Sequence, residues 1–174
     1  MCMMHRCGAS VHTMFAVTAA RIDADDPLAG LELGSRAEPD VPDGWTTVTV
    51  KAAALNHHDV WTLRGVGISP DRLPIVLGCD AAGLDPDGNE VVVHAVIANP
   101  DAGGGDETLD PGRSLLSERY DGTFAQRVAV PRRNLVPKPE ALSFEQAASA
   151  KDSPAGLGTR LRLGTATRCA NVPS

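Results

Sequence analysis

The sequence has few aromatic residues, few cysteines and no long hydrophobic run. Phe, Tyr and Trp together make up 3% of its 174 residues, and it contains four cysteines. No apolar stretch approaches the ~20 residues that a membrane-spanning helix needs. No Lys/Arg-rich stripe provides the positive surface that nucleic acid requires. These absences exclude a membrane-spanning helix and a basic nucleic-acid-binding surface from this sequence.

Small apolar and turn-forming residues are abundant instead. The chain has 17 Gly and 13 Pro, and 43% of its residues are hydrophobic, with Val and Ala plentiful. This composition is typical of a turn-rich β protein rather than a helical bundle or a disordered chain. The length suffices for one sizeable core and is too short for two ordinary domains.

The net charge of −6 is unevenly distributed along the chain. Residues 1–13 carry +1 and residues 151–174 carry +3, so subtracting both from −6 leaves −10 on residues 14–150. We interpret residues 14–150 as the folded domain, preceded by a disordered or mis-assigned leader. Charge and composition change together after residue 150, which predicts an irregular tail from a frameshifted or truncated gene. A natural fragment with a disordered end is the alternative.

Three of the four cysteines lie outside the acidic middle of the chain. Cys2, Cys7 and Cys169 belong to the flanking segments, and only Cys79 lies between them. A disulfide framework needs paired cysteines within the core, and residues 1–13 lack the apolar segment of a signal peptide. These features predict a reducing, cytoplasmic setting.

Alternating hydrophobicity predicts that strands dominate the secondary structure. The clearest strand is Trp45–Ala54, where Val48, Val50 and Ala52 share one face and polar residues share the other. The Gly- and Asp-rich residues 99–119 predict a long surface loop. Further strands are predicted over residues 14–21, 28–33, 73–83, 91–97, 122–130 and 134–136.

Two short helices are predicted from capping signals. Asn56 and Asp59 suit the N-cap and N3 positions of a helix over His57–Leu63, where the helix dipole favours an acid in the first turn. Ser143 and Gln146 have the spacing of a capping box, so a second helix is expected to begin after Ser143.

Three segments together resemble a known enzyme family. They are AALNHHDVWTLRG at residues 53–65, LPIVLGCDAAG at residues 73–83, and YDGTFAQRVAVPRRNLVPKPEALSFEQAA at residues 120–148. Their order resembles the N-terminal half of the medium-chain dehydrogenase/reductase superfamily, especially its quinone oxidoreductase and zinc-type alcohol dehydrogenase branches. The resemblance extends from Met14 to about Ala148. It implies a mainly β fold with short helices, a GroES-like β-barrel.

The resemblance also implies an NAD(P)-dependent oxidoreductase. Such enzymes transfer a hydride between a nicotinamide and a small carbonyl, alcohol or quinone, and a separate Rossmann domain holds the cofactor. That domain binds the pyrophosphate through a G-x-G-x-x-G turn, and no such motif occurs here. We therefore expect this chain to be inactive alone and unable to bind NAD(P)H. A non-catalytic GroES-like interaction module and a metal-binding module are the alternatives, and a homo-oligomer stays open.

The positions that hold zinc in the family carry a different set of residues here. By resemblance, Asn56 occupies the position of a Cys ligand, Cys79 that of a His ligand and Asp80 that of a Glu ligand. Catalytic zinc normally has three protein ligands plus water, and Asn is a poor substitute for a thiolate. Zinc is therefore not expected, and Cys79 and Asp80 are only weak candidate ligands. Residues 99–119 contain no cysteine, so the family's structural zinc is not expected either.

In the zinc-independent branch, the resemblance implies a site around the first short helix. Asn56 and Asp59 match an Asn-x-x-Asp motif at the cleft between domains, where Asn56 orients the nicotinamide or the substrate carbonyl. His58 is expected to donate a proton to a developing alkoxide, and His57 to contact the cofactor. Helix capping is the alternative role for Asn56 and Asp59, and a structural role is the alternative for both histidines.

Trp61 and Cys79 are expected to line the substrate pocket. Core packing is an equal alternative for Trp61. Cys79 lies in an apolar segment, where a free thiol behaves as a small hydrophobe. The adjacent Asp80 should raise the pKa of this thiol, which argues against a nucleophile. A buried and inert Cys79 is therefore the alternative to a pocket residue.

Overall fold

The computed structural model describes residues 12–150 of the chain. These residues contain ten β-strands and two short α-helices. The predicted irregular tail and all but the last two residues of the predicted leader lie outside this range. The mainly β fold with short helices is confirmed for the described residues.

The strands are short and follow one another through tight turns and 3₁₀ turns. In chain order they are β1 (Thr13–Ala19), β2 (Leu31–Ala37), β3 (Trp45–Ala54), β4 (Ile75–Val76), β5 (Asp80–Leu84), β6 (Glu90–Val93), β7 (Val96–Ile97), β8 (Ser114–Leu115), β9 (Arg127–Pro131) and β10 (Leu135–Pro137). The helices are α1 (His57–Leu63), between β3 and β4, and α2 (Phe144–Ala148), after β10.

The strands form three sheets whose ladders are all antiparallel. The largest has five strands in the order β10-β6-β5-β3-β9, a second has the order β2-β1-β4, and β7 pairs with β8. The sheets curl into a half-barrel around a core of Val, Leu, Ile and Ala side chains. No helix among residues 12–150 is long and apolar enough to cross a bilayer.

β3 has the bounds that its alternating pattern predicts. It is an internal strand whose first half pairs with β9 and whose second half pairs with β5. Val48 is fully buried in the main core with Leu116 and Val128, whereas Thr49 and Lys51 face outward. One buried face and one exposed face give such a strand its clear period of two.

Both helices begin where the capping signals predict. α1 follows Asn56, and Asp59 closes the first turn because its Oδ2 accepts the backbone N–H of Asn56 at 2.7 Å. In α2, the Ser143 Oγ accepts the N–H of Gln146 at 3.2 Å, and the Gln146 Oε1 accepts the N–H of Ser143 at 3.0 Å. Reciprocal bonds of this kind satisfy amide groups that have no partner inside a helix.

The predicted strands over residues 73–83 and 91–97 are each interrupted. The first forms β4 and β5 with a break at Gly78, and the second forms β6 and β7 with a break at His94. Gly78 has φ of 96°, a left-handed conformation that favours glycine. An ideal Cβ at Gly78 would lie 2.5 Å from the ring of Phe124. Cys79 therefore lies in the connection between β4 and β5 rather than inside a strand.

Other predicted boundaries are shifted or wrong. A 3₁₀ turn occupies Pro27–Gly30, so β2 begins only at Leu31, and β9 begins at Arg127 rather than at residue 122. The segment 99–119 is not only a surface loop, because it contains β8 and the fully buried Leu116. Leu116 fills the main core, so the chain turns inward at this point.

Candidate functional site

Asn56 and Asp80 meet at the junction of β3, β5 and α1. The Asn56 Nδ2 donates a hydrogen bond to the Asp80 Oδ2 at 2.8 Å and lies 3.4 Å from the carbonyl oxygen of Ala54. Antiparallel pairing of Ala54 with Asp80 brings the two strand ends together. The sheet register therefore joins two predicted site residues that are 24 positions apart in sequence.

Asp59 connects α1 to the connection between β4 and β5. Its Oδ1 accepts the backbone N–H of Gly78 at 3.1 Å, while its Oδ2 accepts that of Asn56. The residue is 4% exposed. Burial raises the pKa of this carboxyl, and the two amide hydrogen bonds oppose the rise. Asp59 thus caps α1 and holds it against the strand connection, whereas a chemical role for it stays a prediction.

The two adjacent histidines have different surroundings. His57 is exposed, whereas the side chain of His58 is only 15% exposed. The Nε2 atom of His58 is buried without a hydrogen-bond partner, and the Oε1 of Glu118 lies 3.9 Å from it. Successive residues of a helix do not share a face, which explains why only one ring turns inward.

Cys79 is a buried thiol close to the same junction. It is 6% exposed, and its Sγ lies 3.3 Å from the carbonyl oxygen of Leu116 as the donor of a weak hydrogen bond. Burial, followed by the negative charges of Asp59 and Asp80, raises the pKa of the thiol strongly. The side chain is therefore protonated and points into the fold.

Trp61 lies on the outer face of α1. Its side chain is 52% exposed, so core packing, the alternative in the sequence analysis, is wrong. Val60 and Val66 are exposed beside it in sequence, and Leu55 is exposed just before α1. Single exposed apolar residues are ordinary, but several near one short helix are typical of a surface that another element covers.

Glu118 and Thr123 also belong to this junction, although they are not among the predicted site residues. The Thr123 Oγ1 donates to the backbone oxygen of Asp80 at 3.1 Å, and Glu118 approaches His58. Both follow the inward turn at Leu116. The signal in the sequence was the pair Leu115 and Leu116, two large apolar residues inside an otherwise polar segment.

The residues at the family's zinc positions do not converge on one point. The Asn56 amide directs its N–H toward Asp80, whereas the Cys79 thiol is directed toward a backbone carbonyl. No three His, Cys, Asp or Glu side chains among residues 12–150 are grouped as metal ligands. These residues do not fit the three-ligand geometry of a catalytic zinc.

The described residues also lack the architecture that binds a dinucleotide. All strand ladders among residues 12–150 are antiparallel. A Rossmann fold needs parallel strands joined by a helix whose N-terminus meets the pyrophosphate. Residues 12–150 therefore do not form the dinucleotide-binding half of an oxidoreductase.

Comparison with known proteins identifies relatives among oxidoreductases. The alcohol dehydrogenase GroES-like domain family matches residues 42–140. A crotonyl-CoA carboxylase/reductase of Cereibacter sphaeroides is 29% identical, with 78% of this chain and 36% of that protein covered. A zinc-type alcohol dehydrogenase-like protein of Schizosaccharomyces pombe is 32% identical, with 75% of this chain and 41% of that protein covered.

Solved structures share the same fold. An NAD-dependent alcohol dehydrogenase superposes with a TM-score of 0.69 at 36% identity, covering 78% of this chain and 42% of that one. A crotonyl-CoA carboxylase/reductase gives 0.69 at 28% identity, covering 78% and 36%. This chain thus spans about two fifths of the length of these relatives. It belongs to the alcohol dehydrogenase GroES-like domain family, within the medium-chain dehydrogenase/reductase superfamily.

Proposed function

We propose that residues 14–150 are the substrate-side domain of an NAD(P)-dependent oxidoreductase. The reaction is hydride transfer between a nicotinamide and a small carbonyl, alcohol or quinone. The observation that carries the proposal is the Asn56–Asp80 hydrogen bond, because it fixes a polar side chain where β3 ends and α1, the helix that carries the exposed Trp61, begins. A fixed polar group can orient a reacting molecule without losing further freedom on binding.

Asn56 is the residue that orients the bound molecules in this proposal. Its amide nitrogen is fixed by Asp80, and its backbone N–H is fixed by Asp59. The side chain is half-buried, so it is accessible from one side. The bond to Asp80 holds the side-chain amide in one orientation, which is the condition for contacting a nicotinamide amide or a substrate carbonyl in a defined geometry.

His58 is the proton donor in this proposal. When a carbonyl is reduced, the nicotinamide supplies a hydride to the carbon and a proton must reach the oxygen. Imidazole is the side chain that exchanges protons most readily near neutral pH. His58 lies two positions after Asn56, in α1, and its side chain is 15% exposed. His57 is exposed next to it and is the proposed contact to the cofactor.

The cofactor in this proposal is held mainly outside the described residues. Residues 12–150 contain no dinucleotide-binding architecture, and the relatives are more than twice as long as this chain's matched part. The exposed apolar residues around α1, led by Trp61 and Val60, suit contact with a substrate and a second domain. We infer that residues 12–150 do not bind NAD(P)H appreciably by themselves.

The cellular setting in this proposal is the reducing cytoplasm. Cys79 is a free, buried thiol, which is ordinary in a reducing compartment. One of the relatives named above is a zinc-type alcohol dehydrogenase-like protein. The residues of this junction favour a reaction without zinc, because the Asn56 N–H occupies one oxygen of the Asp80 carboxylate and an amide is not among the usual zinc ligands.

A chimera tests the proposal. Residues 1–150 are joined to the dinucleotide-binding half of the NAD-dependent alcohol dehydrogenase that is 36% identical. The chimera is assayed for NAD(P)H oxidation with an aldehyde, a quinone and crotonyl-CoA as probes. We expect turnover of at least one class and a loss of about tenfold or more in kcat/KM for Asn56→Ala.

A matched variant makes the assay specific. Asn89 donates to the Asp85 Oδ2 at 2.8 Å in the exposed turn between β5 and β6, so Asn89→Ala removes a bond of the same length away from the site. Its kcat/KM should stay within about twofold of the parent chimera. A chimera that binds NAD(P)H but reduces none of the three probes contradicts the proposal, as does an equal loss in both variants.

A further inference from the structure

The buried Nε2 atom of His58 is one of two side-chain polar atoms among the described residues that are buried without a hydrogen-bond partner. Buried polar groups in folded proteins are nearly always hydrogen-bonded, so each exception needs an explanation. The Oε1 of Glu118 lies 3.9 Å away. A displacement of about 1 Å would bring the two atoms within ordinary hydrogen-bonding distance.

The Glu118 carboxylate is oriented by its other oxygen. Its Oε2 accepts the Ser114 Oγ at 3.1 Å and the Leu115 backbone N–H at 3.0 Å. The Oε1 atom is therefore the one that faces His58. The side chain itself is only 22% exposed. A long acidic side chain held at one oxygen and directed at a buried imidazole nitrogen is an unusual arrangement for a surface loop residue.

The backbone on both sides of this contact has special conformations. Ser117, which precedes Glu118, has φ of 66°, and it is the single non-glycine residue with positive φ among the described residues. Gly67 has φ of 79°, and an ideal Cβ there would lie 3.1 Å from the Glu118 Oε1. Left-handed conformations of non-glycine residues concentrate where function requires a particular backbone path. Here the path places Glu118 between α1 and the segment that follows it.

The geometry points to Glu118 as a positioning residue that accepts a hydrogen bond from Nε2–H of His58 and thereby fixes the tautomer of that imidazole. This inference rests on the proposed function for its catalytic meaning, since it makes Nδ1 the ring nitrogen that exchanges protons. If a bound carbonyl accepted a hydride from a reduced nicotinamide at its carbon, the His58 imidazolium would supply its Nδ1 proton to the carbonyl oxygen. The neutral ring would then keep its proton on Nε2, which donates a hydrogen bond to Glu118.

Glu118→Gln is the sharpest test, because the anchoring bonds decide how the amide must lie. Ser114 and Leu115 donate to the Oε2 position, so the Gln oxygen must occupy it. The Gln NH₂ group then takes the place of Oε1 and faces Nε2 of His58 as a donor. Nε2 must become an acceptor, which requires the proton to move to Nδ1. The substitution should therefore reverse the tautomer of His58.

The experiment uses the full 174-residue chain labelled with ¹⁵N, with neutral imidazoles observed by long-range ¹H–¹⁵N correlation. His58→Gln assigns the signals. We expect the Nε2–H tautomer in the parent chain and predominantly the Nδ1–H tautomer in Glu118→Gln. Glu107→Gln is the matched control, because Glu107 bonds a different imidazole, the Nε2 of His94, at 2.7 Å. It should change the His94 signals and leave those of His58 unchanged.

Two results would overturn the inference. One is an Nδ1–H tautomer of His58 in the parent chain, and the other is an unchanged tautomer in a Glu118→Gln chain whose backbone amide spectrum shows the same fold. A purely structural role for Glu118 would lower the melting temperature without reversing the tautomer. Because the measurement needs neither cofactor nor substrate, its failure is distinguishable from failure of the chimera assay.

Discussion

Asn56 and Asp80 form a hydrogen bond of 2.8 Å between the residue that precedes α1 and the first residue of β5. The bond joins the amide of one to the carboxylate of the other, so its two ends are chemically distinct. The backbone N–H of Asn56 also donates a capping hydrogen bond to Asp59, so this residue joins the start of α1 to the ends of β3 and β5.

The polarity of this pair can be tested by exchange. Asn56→Asp places two carboxylates in contact and should lower the free energy of unfolding by about 1–3 kcal/mol at neutral pH. The double variant Asn56→Asp with Asp80→Asn restores one amide and one carboxylate, and should recover most of the loss. Urea unfolding of these two variants, of the single variant Asp80→Asn and of the parent completes the cycle.

The comparison variant for the exchange is Asn89→Asp. It acts on the exposed Asp85–Asn89 pair, where water screens the charges, so its cost should stay within ~1 kcal/mol. A double variant no more stable than Asn56→Asp would show that the two side chains are not coupled.

Gly78 provides a second prediction about the same junction. Gly78→Ala forces a Cβ to within 2.5 Å of Phe124 and 2.6 Å of the Thr123 Oγ1, at φ of 96°. Gly88→Ala meets nothing within 4 Å at φ of 85°, so it carries only the conformational cost of about 1–2 kcal/mol. Thermal unfolding should show a markedly larger loss for the first variant than for the second. Equal losses would mean that the contacts around Gly78 relax freely.

Gly78 also shows why the sequence predicts some secondary-structure elements and not others. β3 and α1 are predicted with their correct bounds because alternation and capping are local signals. The break at Gly78 depends on where Phe124 lies, which no local pattern contains. An apolar run interrupted by a glycine is therefore easily mistaken for one continuous strand.

The candidate site was predictable only in part for a similar reason. Asn56 and Asp59 are close in sequence, so their capping relationship is visible in the chain itself. Glu118 is 60 positions from His58, inside a segment whose composition indicates a surface loop. Its approach to His58 follows from the burial of Leu116, a tertiary effect that composition does not reveal.

Asp59 predicts a particular pH dependence of stability. Burial raises its pKa in the folded state above the ordinary value of 3.8, so the folded state takes up a proton before the unfolded state does. The stability that Asp59 contributes is then largest at a pH below its pKa in the unfolded state. It is lost as the pH rises through the raised pKa of the folded state. Asp59→Asn removes this dependence, and it also turns an NH₂ group toward the N–H of Asn56 or Gly78.

The expected cost of Asp59→Asn at neutral pH is about 1–3 kcal/mol, since one buried donor loses its acceptor. The difference in unfolding free energy between the parent and the variant should increase as the pH falls toward 3.8. Urea unfolding at a series of pH values measures it, and a difference that shrinks on acidification contradicts the assignment.

Asp110 predicts the opposite dependence of stability on pH. Its Oδ2 accepts the N–H of Asn99 at 2.7 Å and its Oδ1 that of Gly112 at 2.7 Å, and these bonds lower the pKa of the carboxyl. Because the pKa of Asp110 is lower in the folded state, its stabilisation is present at a pH above the pKa of the unfolded state. It is lost as the pH falls through the pKa of the folded state. Asp110→Ala should lower the melting temperature at neutral pH and have less effect in acid. An effect that is constant across pH would contradict these bonds.

The zinc positions give the last prediction. In the parent chain, the Asn56 amide donates to Asp80, and the Cys79 thiol is protonated and directed toward the backbone oxygen of Leu116. Protein purified without added metal should therefore contain far less than one zinc per chain by elemental analysis. Asn56→Cys supplies a thiol next to the Asp80 carboxylate and should increase zinc retention, because thiolate and carboxylate are zinc ligands. Asn89→Cys places a thiol next to Asp85 in an exposed turn and should retain less. Stoichiometric zinc in the parent chain would show that the ligands rearrange around a metal, and the zinc-independent proposal would have to be abandoned.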